Sequence, residues 1–139
     1  MPRIVAVDYG TKRVGLAIAD PLGLFAQPFG TYPPDEAVAR LQAVHADEGV
    51  AVLVVGWPLE EGGGEGRATE RVQQYINRLR RRLPGIDVVK WDERYTSEIA
   101  KARIYASGGT RTRRADRRRV DAAAAGIILQ EYLDATRDA

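Results

Sequence analysis

Hydrophobic and polar positions near the start of the chain predict three successive strands. The run from Ile4 to Asp8 is apolar until it ends in a carboxylate, which favours a central strand buried on both faces. A second strand is predicted over 14–19, after a connection short enough for a hairpin. A third is predicted over 26–32, where Pro28 cannot donate to a ladder and therefore favours the edge of a sheet.

The rest of the chain predicts helices that alternate with strands. The predicted elements are a helix from the start signal Pro33–Asp35 to Gly49, a strand over 50–55, a helix over 67–83, a strand over 86–91, a helix from Thr96 or Ser97 to about Tyr105, and a helix from Val120 to about Leu133. The acidic, glycine-rich segment 60–66 is interpreted as a mobile flap. This order predicts an α/β fold with a mixed five-stranded sheet and helices on its faces, in one domain over 1–139.

Composition narrows the chemistry that the chain can perform. With 139 residues, 45% hydrophobic and 29% charged, the chain is long enough for one soluble globular domain. It has no cysteine and one histidine, His45, to which no role is assigned, so thiol nucleophiles and cysteine- or histidine-rich zinc sites are excluded. A metal would have to be held by oxygen, which selects magnesium, manganese or calcium. The apolar run 50–55 is far too short to span a bilayer, and the N-terminus predicts a strand rather than a signal peptide, so we expect a cytoplasmic protein.

The positive charge is concentrated in arginine. The net charge is only +2, but all but three of the 21 basic residues are arginines, and six of them lie between Arg111 and Arg119. The planar guanidinium suits phosphate oxygens, so this segment is interpreted as a loop that contacts nucleic acid. The alternative is that it is solvated surface in an arginine-rich chain. The candidate nucleic-acid-binding residues are Lys12, Arg13, Arg94, Arg111, Arg113, Arg114, Arg117 and Arg118.

Three carboxylates stand at the ends of predicted elements. Asp8 and Glu93 each end a predicted buried strand, and Asp121 lies in the first turn of a helix with apolar neighbours. Singly, each has an ordinary explanation as a turn former, an ion-pair partner or a helix-dipole partner. Together they would converge on one edge of the sheet, where their charges would repel one another unless cations compensated. We therefore predict that they hold divalent ions and that two such ions catalyse hydrolysis of a phosphodiester bond.

Only one of the adjacent residues Asp92 and Glu93 is expected to reach the metal, because neighbouring side chains on a strand point to opposite faces. Glu93 is preferred since its longer side chain extends past the end of the strand. Asp92 stays as the alternative ligand.

Four ordered blocks carry a family resemblance that covers nearly the whole chain. They are D-Y-G-T-K-R-V-G-L-A-I-A-D over 8–20, V-V-G-W-P-L over 54–59, D-E-R-Y-T-S over 92–97 and V-D-A-A-A-A-G-I-I-L over 120–129. With these blocks the chain resembles the YqgF family, also called RuvX, of proposed Holliday-junction resolvases and pre-16S rRNA nucleases. Two departures are Trp57, where the family usually has leucine, and the glycine content of the segment 60–66.

The resemblance implies a ribonuclease H-like fold and a nuclease dependent on Mg²⁺ or Mn²⁺, with two ions. It places Asp8, Glu93 and Asp121 at the acidic positions of the family. Two substrates are implied, the 5′ end of precursor 16S rRNA and the four-way DNA junction, and the motifs do not separate them. RNA is preferred. The sequence leaves open whether the protein is a monomer or a homodimer.

Two functions of other classes compete with a nuclease. The turn D-Y-G-T over 8–11 is similar to the phosphate loop of actin-like ATPases and sugar kinases, but those need two such domains and this chain provides one. The other candidate is a noncatalytic RNA-binding ribosome-assembly factor, in which Asp8 and metals would be dispensable.

Overall fold

The computed structural model describes the backbone of residues 2–93 and 113–137, and the side chains of 2–93 and 123–137. The predicted helix near 96–105 and the candidate residues Arg94 and Arg111 lie outside the described residues. The elements are β1 (Arg3–Tyr9), β2 (Val14–Ala19), β3 (Ala26–Tyr32), α1 (Pro34–Asp47), β4 (Val50–Trp57), α2 (Arg67–Arg82), β5 (Asp87–Asp92) and α3 (Arg113–Arg137).

The five strands form one mixed sheet in the order β3-β2-β1-β4-β5. Strands β1, β4 and β5 are parallel, whereas β2 pairs antiparallel with both β1 and β3. The edge position predicted for the strand with Pro28 is confirmed, since β3 ends the sheet. Because β1, β4 and β5 run the same way, their carboxyl ends lie at one edge, which we call the carboxyl edge of the sheet.

Alternation along β1 divides the core between the two faces of the sheet. Val5 and Val7 pack with α1 and α2, through residues such as Leu41 and Ile76. Ala6, between them, packs on the other face with α3, where the cluster also contains Ala125, Ile128, Leu129 and Leu133. Adjacent side chains of a strand point to opposite faces. Asp8 therefore faces α3, and Tyr9 faces α2.

Helix α3 is held across the sheet by polar as well as apolar contacts. Gln130 accepts a hydrogen bond from the N–H of Ala26 (2.9 Å) and donates one to the carbonyl of Leu24 (3.1 Å). Ala26 pairs with Ala19, whose strand runs back toward the N-terminal end of β1. Ile128, by contrast, lies beside Gly56 near the carboxyl end of β4. The helix therefore runs away from the carboxyl edge, and its N-terminal turns lie on the side of that edge.

The prediction of a loop across the arginine block is wrong from Arg113 onward, and so is the prediction that the last helix begins at Val120. Helix α3 begins at Arg113 and ends at Arg137. The segment 113–119 contains neither glycine nor proline, and arginine and alanine have high helix propensity, so nothing local interrupts the helix. Charge density alone was a poor indicator of a loop.

Within the described residues, none of the helices combines the length and the apolar character needed to cross a bilayer.

Candidate active site at the carboxyl edge

Asp8 lies at the end of β1, beside a tight turn into β2. The N–H of Gly10 donates to the carbonyl of Arg13 (2.8 Å) and closes this turn. A Cβ on Gly10 would lie only 2.8 Å from the same carbonyl oxygen, so the turn requires glycine. It leaves Lys12 exposed and Arg13 half-buried within five residues of the half-buried Asp8.

Glu93 follows β5 and meets Asp8. Its N–H donates to the carbonyl of Trp57 (3.3 Å), which extends the β4–β5 pairing by one residue. The side chains of Glu93 and Asp8 share a hydrogen bond. Trp91, two residues before Glu93, packs edge-on against Tyr132 of α3 with ring centroids 5.8 Å apart, which is the same face of the sheet.

Asp92 is exposed, whereas Glu93 is half-buried and lies against Asp8. The alternation of side chains along a strand accounts for this difference. Of the two adjacent acids, the structure brings Glu93 to Asp8. The negative charge of Asp92 acts on Glu93 from the opposite face of the strand.

Gly56 provides the space that the Glu93 carboxylate occupies. A Cβ at position 56 would lie 2.1 Å from Oε2 of Glu93 and 3.0 Å from Cδ1 of Ile128. Oxygen and carbon atoms cannot approach this closely, so any larger residue would have to displace the carboxylate. The sequence analysis missed this role, although a glycine inside a strand pattern is a recognised sign of close approach to the backbone.

Burial and neighbouring charge act on the Glu93 carboxyl in the same direction. Burial raises the pKa of Glu93, the hydrogen bond from Asp8 lowers it, and the negative charge of Asp92 raises it again. The net pKa is above the ordinary value of a glutamate. Two carboxyl groups in contact are stable only if they share a proton or a cation, so this pair has the hard oxygen donors and the excess negative charge that divalent cations require.

The remaining predicted site residues lie partly or wholly outside the described side chains. Helix α3 contains Asp121 and the candidates Arg113, Arg114, Arg117 and Arg118, and only their backbone is described. Among residues with described side chains, no group of three or more His, Cys, Asp or Glu residues could hold a metal ion. The trio predicted from sequence is therefore described for two of its members, Asp8 and Glu93.

Trp57 lies at the end of β4 on the α2 face and is nearly buried. Its indole N–H donates to Oε2 of Glu65 (3.0 Å), and the ammonium of Lys90 lies 4.1 Å from the centre of its ring. Within the acidic, glycine-rich segment, the N–H of Gly63 donates to the carbonyl of Glu60 (2.7 Å). The tryptophan that departs from the family pattern thus anchors this segment, and the segment's mobility stays a prediction.

The sequence model of one family, described as "RuvX: Holliday junction resolvase", matches residues 2–135. The chain belongs to the RuvX family. A relative from Salinibacter ruber is 54% identical over 134 residues, covering 96% of this chain and 94% of the relative. One from Chlorobaculum tepidum is 42% identical over 132 residues, covering 95% and 93%. Both carry the name "Putative pre-16S rRNA nuclease".

The fold of this chain matches two solved structures of other proteins. The complex of Thermus thermophilus RuvC with a Holliday junction substrate matches with a TM-score of 0.60 at 12% identity, covering 99% of this chain and 97% of that one. A second structure of RuvC from the same organism matches with a TM-score of 0.51 at 15% identity, covering 98% of this chain and 96% of that one. The predicted ribonuclease H-like fold is confirmed, and the family confirms the predicted class of enzyme, a nuclease.

Proposed function

We propose that the protein is a divalent-metal-dependent endonuclease of the cytoplasm, with one domain over 1–139, which processes the 5′ end of precursor 16S rRNA. The observation that carries this proposal is the contact between Asp8 and Glu93 at the carboxyl edge. Acidic side chains are rarely brought together in a partly buried place unless a proton or a cation joins them. Ligand sites of sheets with parallel strands lie at this edge.

Two divalent ions, either Mg²⁺ or Mn²⁺, would be held by Asp8, Glu93 and Asp121. The helical register of α3 supports Asp121 as the third ligand. Asp121 precedes Ala125 by four residues and Ile128 by seven, so the three positions share one face of the helix. Ala125 and Ile128 pack on the sheet, and Ile128 lies beside Gly56, where Glu93 rests. Position 121 lies further along this face, toward the carboxyl edge.

The chain's own residues would hold the substrate around this centre. A divalent ion, when bound, polarises the scissile phosphate and promotes deprotonation of the attacking water. Lys12 and Arg13 lie in the turn beside Asp8 and would contact the phosphates next to the cut. The candidates Arg94, Arg111, Arg113, Arg114, Arg117 and Arg118 would bind the backbone further away.

The choice of substrate rests on the relatives. Both relatives compared above carry a name that describes a pre-16S rRNA nuclease, which favours RNA. The description of the family model, and the junction in the RuvC complex, favour a second candidate, resolution of four-way DNA junctions. The chemistry at the phosphodiester bond is the same for both.

Cleavage assays on the purified full-length protein test the proposal. Labelled precursor 16S rRNA, single-stranded RNA and a four-way DNA junction are each incubated with Mg²⁺, with Mn²⁺ and with chelator. We expect metal-dependent cutting, fastest on the precursor rRNA. Asp8→Asn and Glu93→Gln are expected to lower kcat by at least about 100-fold while leaving binding largely intact, because each removes a metal ligand.

Matched carboxylate variants separate this effect from a general loss of charge. Asp92→Asn, adjacent to Glu93 but exposed, and Asp47→Asn, exposed at the end of α1, should cut at rates within a few-fold of the parent protein. Cutting that survives chelator or Asp8→Asn would refute the metal mechanism. Binding of RNA by the parent protein without any cutting would instead support the noncatalytic RNA-binding factor. Faster cutting of the junction would assign DNA as the substrate.

A further inference from the structure

A groove opens on the α2 face of the sheet, directly behind the candidate active site. It is lined by residues of the β1–β2 turn, of the segment after β4 and of the first turns of α2, namely Tyr9, Gly10, Thr11, Pro58, Ala68, Arg71 and Val72. Its volume is about 260 Å³. The carboxylate and arginine patterns of the sequence do not include these residues.

The groove combines apolar walls with one positive charge. Tyr9 packs on Tyr75, with ring centroids 4.6 Å apart, and against the buried cluster that includes Val72. Among the described residues that line the groove, Arg71 is the only charged one. Within the described part of the chain, its guanidinium has no hydrogen-bond or ion-pair partner. An unpaired guanidinium beside an apolar, aromatic wall suits a ligand that carries both a flat apolar surface and an anion.

The groove lies across the β1–β2 turn from the proposed site of cleavage. Tyr9 follows Asp8 in β1, so their Cα atoms are about 3.8 Å apart and their side chains leave the strand on opposite faces. The turn Gly10–Arg13, which carries Lys12 and Arg13, separates the groove from the carboxylate pair. A nucleic-acid strand whose scissile phosphate lay at Asp8 could reach the groove only by passing over this turn.

We propose that the groove binds one nucleotide of the substrate strand next to the scissile phosphate. Its base packs against Tyr9 and Val72, and its phosphate pairs with Arg71. The volume is below the roughly 300–1,000 Å³ of pockets for drug-sized ligands, which fits a single base rather than a longer segment. This inference rests on the proposed nuclease function and adds to it a position at which the strand is held, distinct from the arginines of α3.

Binding measurements with the full-length Asp8→Asn protein in chelator test the inference without requiring cleavage. Fluorescence anisotropy is recorded for labelled single-stranded RNA, and for DNA of the same sequence, over a series of salt concentrations. Arg71→Gln should weaken binding several-fold and reduce the salt slope by about 0.7, the value for one phosphate contact on a single strand. Ala68→Phe should fill the groove and weaken binding by about tenfold, as expected when one stacked base is lost.

Both positions are exposed on α2, so the variants are expected to fold, and thermal melts verify this. Arg81→Gln provides the matched control. Arg81 is also an exposed arginine of α2, but it lies ten residues, or about 15 Å, further along the helix. With Arg81→Gln added, the Asp8→Asn protein should bind the RNA and the DNA as tightly as it does without that substitution.

The results separate failure of this inference from failure of the proposed function. Weakening by Arg71→Gln and Ala68→Phe, without weakening by Arg81→Gln, supports the groove, and a loss confined to RNA identifies the sugar that it requires. Unchanged binding by the two groove variants, or equal weakening by Arg71→Gln and Arg81→Gln, overturns the inference while leaving the nuclease intact. Absence of all nucleic-acid binding by the parent protein overturns both.

Discussion

At the scale of single residues, the site depends on one glycine as much as on its acids. Asp8 and Glu93 come from strands that are not neighbours in the sheet, since β4 lies between them. Their carboxyl groups meet only because Glu93 can cross the intervening strand at Gly56, which has no side chain to obstruct it. The glycine thus makes room for the carboxylate that we propose as a metal ligand.

Replacing this glycine provides a test at the residue scale. Gly56→Ala places a methyl group at the position of the Glu93 carboxylate, so we expect that carboxylate to move by an ångström or more. A misplacement of this size lowers cleavage by about 100-fold. Cleavage rate and Mn²⁺ affinity are measured together with the free energy of unfolding, because a loss of metal affinity in a folded protein identifies positioning rather than instability.

Gly62→Ala is the control, since a Cβ at that position meets no atom within 4 Å. It should cut at the parent rate. Parent-like Mn²⁺ affinity in Gly56→Ala would show that the carboxylate does not depend on this space.

At the scale of elements, α3 joins two different surfaces. Its C-terminal half packs Ile128, Leu129 and Leu133 on the sheet and is fastened by Gln130 to the β2–β3 hairpin. Its N-terminal half carries the arginine block. Positions 113, 114, 117 and 118 fall within an arc of about 140° of the helix, so they form one stripe rather than a ring.

The helical stripe predicts how these arginines contribute to binding. Replacing Arg113, Arg114, Arg117 and Arg118 together by glutamine should weaken nucleic-acid binding and flatten its dependence on salt, because each phosphate contact releases a counterion. If all four contact a single strand, the slope of log K against log salt decreases by about 3. Anisotropy titrations at several salt concentrations measure this.

Replacement of Arg80, Arg81 and Arg82 at the end of α2 provides a comparison in which a similar charge is lost elsewhere. If the two sets of substitutions change the slope to the same extent, the stripe on α3 has no special part in binding. Asp121 is left in place in every variant, so that the proposed metal site is not altered.

At the scale of the whole molecule, the carboxyl edge is where distant parts of the chain meet. Asp8, the end of β4 and Glu93 are brought together by parallel strand order, and α3 approaches the same edge with its N-terminal half. A cation bound there would tie the three elements to one another. It would therefore stabilise the folded state, in which the site is assembled, relative to the unfolded chain.

Thermal unfolding with and without metal tests this coupling. At a free Mn²⁺ concentration of about 100 times Kd, binding adds about 2.7 kcal/mol to the free energy of unfolding. For a chain of this length, that raises Tm by on the order of 10 °C. Scanning calorimetry should show the increase for the parent protein and for Asp47→Asn, and little of it for Asp8→Asn. A parent Tm that does not respond to Mn²⁺ or Mg²⁺ contradicts the metal site.

The sequence predicted most elements because their signals are local. The apolar runs of β1 and β4, the proline in β3 and the helical spacing of α1 and α2 each specify an element through contacts of near neighbours along the chain. The arginine block was misjudged because its charge suggested a loop, whereas helix formation depends on backbone propensity and on the absence of glycine and proline. The family blocks made the fold and the class of enzyme predictable.

The sequence by itself determined which acids are available, since Asp8, Glu93 and Asp121 match acidic positions in the pattern of the RuvX family. Only the tertiary structure decided that Glu93, rather than Asp92, meets Asp8, that Gly56 makes room for this contact, and that Arg71 and Tyr9 share a groove. Each of these depends on which strands are neighbours and which face a side chain takes. That information lies in pairing between distant segments, which local sequence patterns do not contain.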